Sequence, residues 1–422
     1  MRRYVIFPKA AAASVAWLGS FLALSTFGQS YTIVNLGTPG SFSNTIGDYS
    51  LAHCINTAGA VAGEWAPNQT SQRAFLYANG TNTDLGLIPS TLYAIAHALN
   101  DSNAVVGEAS GEFTGTHAFV YTNGVMVDLG SFAGYSIAHA INNAGVIVGE
   151  STVSNGEVHA VICLGGGQQT DLGVLPTGDY SAAFGINNSN ATMIVGESTA
   201  ISGTVTNLYA FVIQNGPMIN LGSFAGSSYS AAFAVNDTGQ IIGEADTNGQ
   251  THAVLWQNSA ITDLGTLGGT NSSASAINHA GGIVGYALTA SEDEHAFLYS
   301  GSTMYDLNNF LPPGSVFTNL ISADGINDAG QITGSGYTTN GDYRAFLLTP
   351  VLTLTSPKMT AGGQFQMTVQ GAPGQRFVLE GSANLVNWVS LTTNTLTSSP
   401  LIWADGTAMN FAYRFYRAQA LP

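Results

Sequence analysis

Short stretches of alternating apolar and polar residues recur down this chain, broken by turns rich in Gly, Asn and Asp. Residues 136–173 show the pattern in full: A-x-A-I-N-x-x-G-x-I-V-G-E, a variable polar loop, His-Ala-Val at His159, a short turn, then Asp171-Leu172-Gly173. The asparagine of that skeleton stands at Asn56, Asn100, Asn142, Asn187, Asn236, Asn278 and Asn327. Successive positions are 44, 42, 45, 49, 42 and 49 residues apart. A period in the forties holding several short apolar runs marks a repeat architecture.

Each unit predicts four strands. In the third repeat residues 137–142 alternate and are rich in Ala and Ile, which suits a first strand. A turn at Asn142-Asn143-Ala144-Gly145 follows, ending in a residue that takes positive φ at no steric cost. The second strand is then Val146 to Glu150 and the third His159 to Cys163. In sister repeats Asn79-Gly80, Asn123-Gly124 and Asn215-Gly216 join the third strand to the fourth, and Asn-Gly is a strong signal for a tight hairpin. The fourth strand ends in Asp-Leu-Gly at Asp84, Asp128, Asp171 and Asp263, with variants at Asn220 and Asp306.

Four antiparallel strands in each of seven units describe an all-β chain with a seven-bladed β-propeller over residues 31–349. The seventh unit runs through Asn327 and Arg344-Ala345-Phe346 and then lacks its closing strand. Residues 31–37, Tyr-Thr-Ile-Val-Asn-Leu-Gly, supply the missing pattern at the other end, so that strand is expected to close the last blade. A closed ring leaves no open edge, whereas an open solenoid needs capping units.

The period stops at Pro350. Residues 350–422 alternate differently, in about six predicted strands, and read as a small C-terminal β-sandwich-like domain. Trp388 and Trp403 there are candidates for core packing or for a glycan platform. At the other end, Arg2, Arg3 and Lys9 precede an apolar run to about Phe27 and then small residues. That is the layout of a signal peptide over residues 1–30, with cleavage expected after Gly28 or Ser30 and no membrane span left behind.

Charge narrows the partners. The chain holds 9 Lys and Arg against 25 Asp and Glu, and within residues 31–349 only Arg73 and Arg344 are basic. Nucleic acid and anionic membrane surfaces, which are bound chiefly through Lys and Arg, are excluded as partners. Cys54 and Cys163 occupy different strand positions of repeats two apart, so two buried thiols are expected in preference to a disulfide.

The repeat resembles the extracellular repeat of the HAF family, named for its His-Ala-Phe signature. That signature stands here as His117-Ala118-Phe119 and His295-Ala296-Phe297. It is altered to His-Ala-Val at His159 and His252, to Tyr209-Ala210-Phe211, and to Arg at Arg73 and Arg344. The resemblance covers about residues 31–349 and implies an exported bacterial repeat protein, secreted or at the cell surface, with no established catalytic residues or ligand. The stretch Ser382 to Trp388 with a terminal Arg-Phe-Tyr-Arg is similar to tails on exported proteins of environmental bacteria.

Aligned repeats expose two columns of candidate chemistry. Seven residues before the landmark Asn stand Tyr49, Tyr93, Tyr135, Tyr180 and Tyr229, then Asn271 and Leu320. If the first strand is innermost, the tyrosines ring one mouth of a central channel, where an aromatic face and a hydroxyl suit sugar binding. Packing between blades is the plainer account. Three residues before the Asn stand His53, His97, His139, Phe184, Phe233, Ser275 and Asp324. In a closed ring Asp324 and the three histidines form one arc with the residue types of a transition-metal site, although satisfied interblade histidines explain the column as well. Glu64, Glu108, Glu150, Glu197 and Glu244 end the second strands; as scaffold, they are expected to pair with the His of His-Ala-Phe or with turn amides.

No P-loop, H-E-x-x-H, G-x-S-x-G, dinucleotide-binding or EF-hand motif occurs, and no cofactor is implied. The sequence therefore reads as a non-enzymatic binding module for a polysaccharide or a cell-surface partner. A carbohydrate-active hydrolase or lyase with loop carboxylates, and a purely structural surface protein, are the alternatives. Nothing in the sequence fixes the oligomeric state.

Overall fold

The structure is a computed structural model that describes residues 5–8, 31–39, 48–67, 71–111, 115–165, 168–203, 205–396, 401–411 and 413–421. The expected cleavage points, Gly28 and Ser30, lie outside the described residues, whereas Val5–Pro8 of the expected signal peptide pairs as a strand with Tyr413–Leu421. The chain forms two compact units. One comprises residues 33–309 and 314–348; the other comprises residues 1–32, 310–313 and 349–422. No helix among the described residues is long and apolar enough to cross a membrane.

The repeats fold into four-stranded antiparallel sheets, seven among the described residues. In the third sheet the strands are Ser136–Ile141, Ile147–Thr152, Val158–Gly165 and Gln168–Asp171, within two residues of the spans read from the pattern. The first strand of each sheet lies beside the first strand of the next, and that of the seventh beside that of the first. The first strands are thus innermost. In the seventh sheet the outermost place, beside Tyr343–Pro350, is filled by Tyr31–Asn35. There Leu36 N donates to Ala345 O and Asn35 Oδ1 accepts from Gly37 N, as Leu85 N donates to Ala74 O and Asp84 Oδ1 accepts from Gly86 N in the first sheet.

Three repeated positions explain why the units fit one another. The glycine before the Glu column lies against a bulge in the first strand: a Cβ on Gly149 would sit 1.9 Å from Ile137 O, and one on Gly107 1.9 Å from Ile95 O. No other residue fits there. The Phe of the signature is buried in five sheets, as Phe75, Phe119, Phe211, Phe297 and Phe346. A serine just after the Tyr column reaches back to the preceding sheet, so that Ser136 Oγ accepts from Ala118 N at 2.9 Å and donates to Gly130 O at 2.6 Å. Ser181, Ser230 and Ser272 repeat the contact with Ala160, Ala210 and Ala253, and Ser50 makes it with Ala345 across the junction of seventh and first sheets.

The landmark asparagines do more than turn the chain. Asn142 Oδ1 accepts from Ala144 N and Val146 N in its own turn, and its Nδ2 donates to Asn187 O in the next sheet at 3.2 Å. The same inter-sheet bond runs from Asn56 to Asn100, Asn100 to Asn142, Asn236 to Asn278 and Asn278 to Asn327. Asn327 Nδ2 then donates to Asn56 O at 3.0 Å, returning to the first sheet across 271 residues of chain. Between the fourth and fifth sheets the link is carried one residue on, where Asn188 N donates to Asp237 Oδ1.

The turns mostly follow the sequence. Asn79-Gly80 and Asn123-Gly124 have positive φ at both residues, as a type I′ hairpin demands. Asn215-Gly216 departs from this expectation: only Asn215 is positive, and the fourth strand there shrinks to Ile219–Asn220. Pro217 follows Gly216 and restricts the residue before it.

In the second unit a three-stranded sheet, Thr353–Met359, Phe365–Gln370 and Leu401–Asp405, accompanies a four-stranded one. The latter is ordered Val5–Pro8, Tyr413–Leu421, Arg376–Ser382 and Val389–Thr395. Val369, Phe377, Leu379 and Leu396 pack between the sheets with Trp403 against them. Trp388 is not core: its ring lies under the Arg417 guanidinium at 4.3 Å. Cys54 and Cys163 are free thiols, both pushed up to about 12 by burial.

Replacing Asn142 by Ala strands two turn amides and one carbonyl in a buried setting. The expected loss is about 2–4 kcal/mol, since each orphaned buried group costs roughly 1–3 kcal/mol. Urea unfolding of the variant beside the parent checks this; a loss below about 1 kcal/mol would show that the inter-sheet bond is dispensable.

Candidate functional site

The two ends of the sheets differ in chemistry. First strands begin at the Tyr column and end at the Asn column, so the turns into second strands gather at one end. Connectors into first strands, and hairpins from second to third strands, gather at the other. Tyr49, Tyr93, Tyr135, Tyr180 and Tyr229 stand at that second end, all partly exposed. Asn271 and Leu320 complete their column differently: Asn271 Oδ1 accepts from Thr251 N, and Leu320 is buried.

The tyrosines meet the Glu column. Tyr49 OH donates to Glu64 Oε1 at 3.4 Å, Tyr135 OH to Glu150 and Tyr229 OH to Glu244. Tyr180 OH lies 3.2 Å from Glu197 Oε1 of its own sheet and 3.4 Å from Glu150 Oε2 of the preceding sheet, bridging the two. From the sequence, the Glu column is expected to pair with the His of His-Ala-Phe or with turn amides. The structure corrects this. Glu108 lies opposite Ala118, so His117, one residue along, points to the other face of the sheet. His117 Nδ1 meets Asp128 of the fourth strand at 2.9 Å, and His159, His252 and His295 meet Asp171, Asp263 and Asp306 in the same way. Those aspartates also accept from the turn amide two residues on, as Asp128 does from Gly130 N.

Crowded carboxylates in a half-buried belt resist ionisation. Burial pushes Glu108 up to about 7, with Glu150 and Glu64 adding like charge. Burial likewise pushes Glu197 to about 7, against the Tyr180 hydrogen bond and with help from Glu150 and Glu244. Glu64 and Glu150 are raised by burial and partly relieved by their tyrosine partners. Further round, burial takes Asp324 to about 7 despite the Ser322 bond, and Glu294 adds to it.

The His column continues the inner wall. The His53 and His97 rings are 6.3 Å apart between centroids, His97 and His139 5.6 Å, His139 and Phe184 5.1 Å, Phe184 and Phe233 5.8 Å. This is an arc of packed rings. The three Nε2 atoms are buried without hydrogen-bond partners, and burial lowers His53 and His139 to about 4, so the imidazoles are neutral. Asp324 bonds Ser322 instead of joining them. Among the described residues no group of three or more His, Cys, Asp or Glu is placed to hold a metal ion. The metal set expected from His53, His97, His139 and Asp324 is therefore not assembled.

The Glu column was legible as a repeat but not as part of the tyrosine site. Its signal was present: Tyr49 and Glu64, Tyr135 and Glu150, and Tyr229 and Glu244 are each 15 residues apart.

No family model matches the chain, and no curated protein matches it. Among solved structures, it is similar to a puromycin-hydrolysing peptidase of Mycobacterium tuberculosis, with 11% identity and a TM-score of 0.47 over 76% of this chain. The chain spans 58% of that peptidase. It is similar to YCF48 bound to D1 peptide at 10% identity and a TM-score of 0.45, covering 79% of this chain and 98% of that one. A fucose-specific lectin from Aleuria aurantia aligns at 10% identity with a TM-score of 0.33, over 89% and 98% of the two chains. Likenesses this distant assign no activity.

The raised carboxylates set a pH dependence. Folded Glu108 and Glu197 hold protons that the unfolded chain, with an ordinary value of 4.5, releases. Their contribution to stability is full below about 4.5 and is lost as pH rises through about 7. Glu108→Gln should therefore raise the thermal midpoint at pH 8 by a few degrees and change it little at pH 5. Thermal unfolding at both values tests this, and a variant that melts lower at pH 8 would refute it.

Proposed function

We propose that the repeat unit is a seven-bladed β-propeller of the HAF type, followed by a small β-sandwich. In this reading the chain is an exported, non-enzymatic binding protein that takes a polysaccharide at the tyrosine end. The observation that carries this is the belt in which Tyr49, Tyr135, Tyr180 and Tyr229 are held by glutamates at one end of the innermost strands. A hydrogen-bonded phenol is a ring already fixed in place, so stacking a sugar on it costs little further ordering. Carboxylate oxygens beside the ring accept from sugar hydroxyls. The same pair recurs in the first, third, fourth and fifth sheets, which suits a repeating ligand and not a single reaction centre.

One observation favours a second reading. Glu108 and Glu197, at about 7, are about half protonated at neutrality, and the protonated form is the one a general acid needs for glycoside cleavage. That reading makes the belt the centre of a hydrolase.

Glycan-array binding by the purified protein, beside a Tyr93→Ala/Tyr135→Ala/Tyr180→Ala variant, tests the proposal. Binding should fall at least tenfold in a variant whose circular dichroism is unchanged, because each aromatic contact is worth roughly 0.5–1.5 kcal/mol. Equal binding by the folded variant would remove the site from this end. Release of new reducing ends from a bound glycan would favour the hydrolase.

A further inference from the structure

The tyrosine end is also where the repeat unit shows its largest exposed apolar side chains. Leu92, Phe132 and Val316 lie on connectors into first strands; Ile201 and Val205 flank the tip of the long hairpin in the fourth sheet; Tyr337 is the penultimate residue of the second strand of the seventh. The other strongly exposed apolar residues of this unit, Val34, Val125, Val127 and Ile219, sit on outermost strands, Val125 and Ile219 where fourth strands start at the asparagine end; the turns from first to second strands there have none among the described residues. Leu92 is 57% exposed and Val205 55%. Large apolar side chains grouped on one face and rimming polar groups mark an interaction surface.

Charge decides what would cover it. Residues 31–349 carry 23 carboxylates and two arginines. Both arginines are committed: Arg73 pairs with Asp84 at 2.8 Å and Arg344 with Asp48 at 2.8 Å. Inside the apolar rim stand Glu64, Glu108, Glu150, Glu197 and Glu244. As pH rises through about 7 and Glu108 and Glu197 ionise, the face offers apolar contact and negative potential together, and no Lys or Arg of its own answers the carboxylates.

We propose that this face docks a basic polypeptide segment, one that carries lysine or arginine between large apolar side chains. The apolar groups seat on Phe132, Ile201, Val205 and their neighbours, and the cations lie over the glutamate belt. Complementary charge steers such a segment to the face and fixes its register, while the desolvated apolar contacts hold it. A polyanion or an acidic peptide is rejected by the same field. This goes beyond the glycan reading, because the rim residues lie outside the tyrosine belt that reading uses.

The test uses the full chain at about pH 8.5, where Glu108 and Glu197 are ionised, and a fluorescein-labelled twelve-residue peptide of alternating Leu and Lys, read by anisotropy, beside its Leu–Glu counterpart. The Lys peptide should bind in the micromolar range, weaken several-fold between 0.05 M and 0.5 M NaCl, and the Glu peptide should not bind. A Phe132→Ser/Ile201→Ser/Val205→Ser variant should lose tenfold or more in affinity. These positions are exposed, so its fold should persist, and unchanged circular dichroism confirms that. A Glu108→Gln/Glu197→Gln variant should lose three-fold or more and shed part of the salt dependence. Equal binding by the rim variant means attraction to net charge alone and overturns the proposal, as does absence of binding by the parent. Glycan-array binding without peptide binding overturns this inference and leaves the glycan reading standing.

Discussion

Everything in the repeat unit rests on a buried amide side chain that satisfies two sheets at once. A four-stranded sheet cannot cover both of its faces, so each must lean on a neighbour, and polar backbone at the junction needs partners that water cannot reach. Asn142 supplies them: its oxygen closes its own turn and its nitrogen holds the carbonyl of Asn187 next door. Six such links run between neighbouring sheets, and the one from Asn327 to Asn56 joins residues far apart in the chain. Asp could accept but not donate, and Ser is too short to do both. The asparagine is kept because no other side chain of that size offers both functions.

The seam between the seventh and first sheets adds a buried ion pair to the ties found at other seams. Besides the asparagine link, Arg344 replaces the usual His and reaches Asp48 through both its carboxylate and its carbonyl, in a setting where both side chains are buried. Ser50 and Ala345 add the serine contact found at other junctions. A buried ion pair is costly to form but more costly to break on one side, which suits a joint that fixes register between distant segments.

The inner wall places opposite electrostatic preferences one above the other. The glutamate belt is most stable when protonated, since Glu108 and Glu197 are raised by burial and mutual repulsion. The His53–His97–His139 arc is most stable when neutral, so its contribution is full above the ordinary 6.5 and is lost as pH falls through about 4. The two terms oppose one another between about 4.5 and 6.5. Substitutions in belt and arc therefore shift the pH of maximum stability in opposite directions. The crowding that raises the belt also gives its face a strong negative potential once ionised.

Much of this architecture could be read from the chain alone. The spacing of the landmark asparagines, the Asn-Gly turns at Asn79 and Asn123, and the alternation in residues 137–142 determined strands, turns and period, because strand alternation and positive φ are local properties. The four-strand pattern split between residues 31–37 and the seventh unit was legible for the same reason. What only the tertiary structure decided was which columns meet. Glu108 and His117 sit on neighbouring strands yet face opposite sides, so the His goes to Asp128 and the glutamates go to the tyrosines. The histidines and Asp324 share a column but not a site, because the rings pack on one another and Asp324 turns to Ser322. Pairing across a sheet depends on register, and contact between sheets depends on how each is rotated against the next. Neither quantity is written in the sequence of a single repeat.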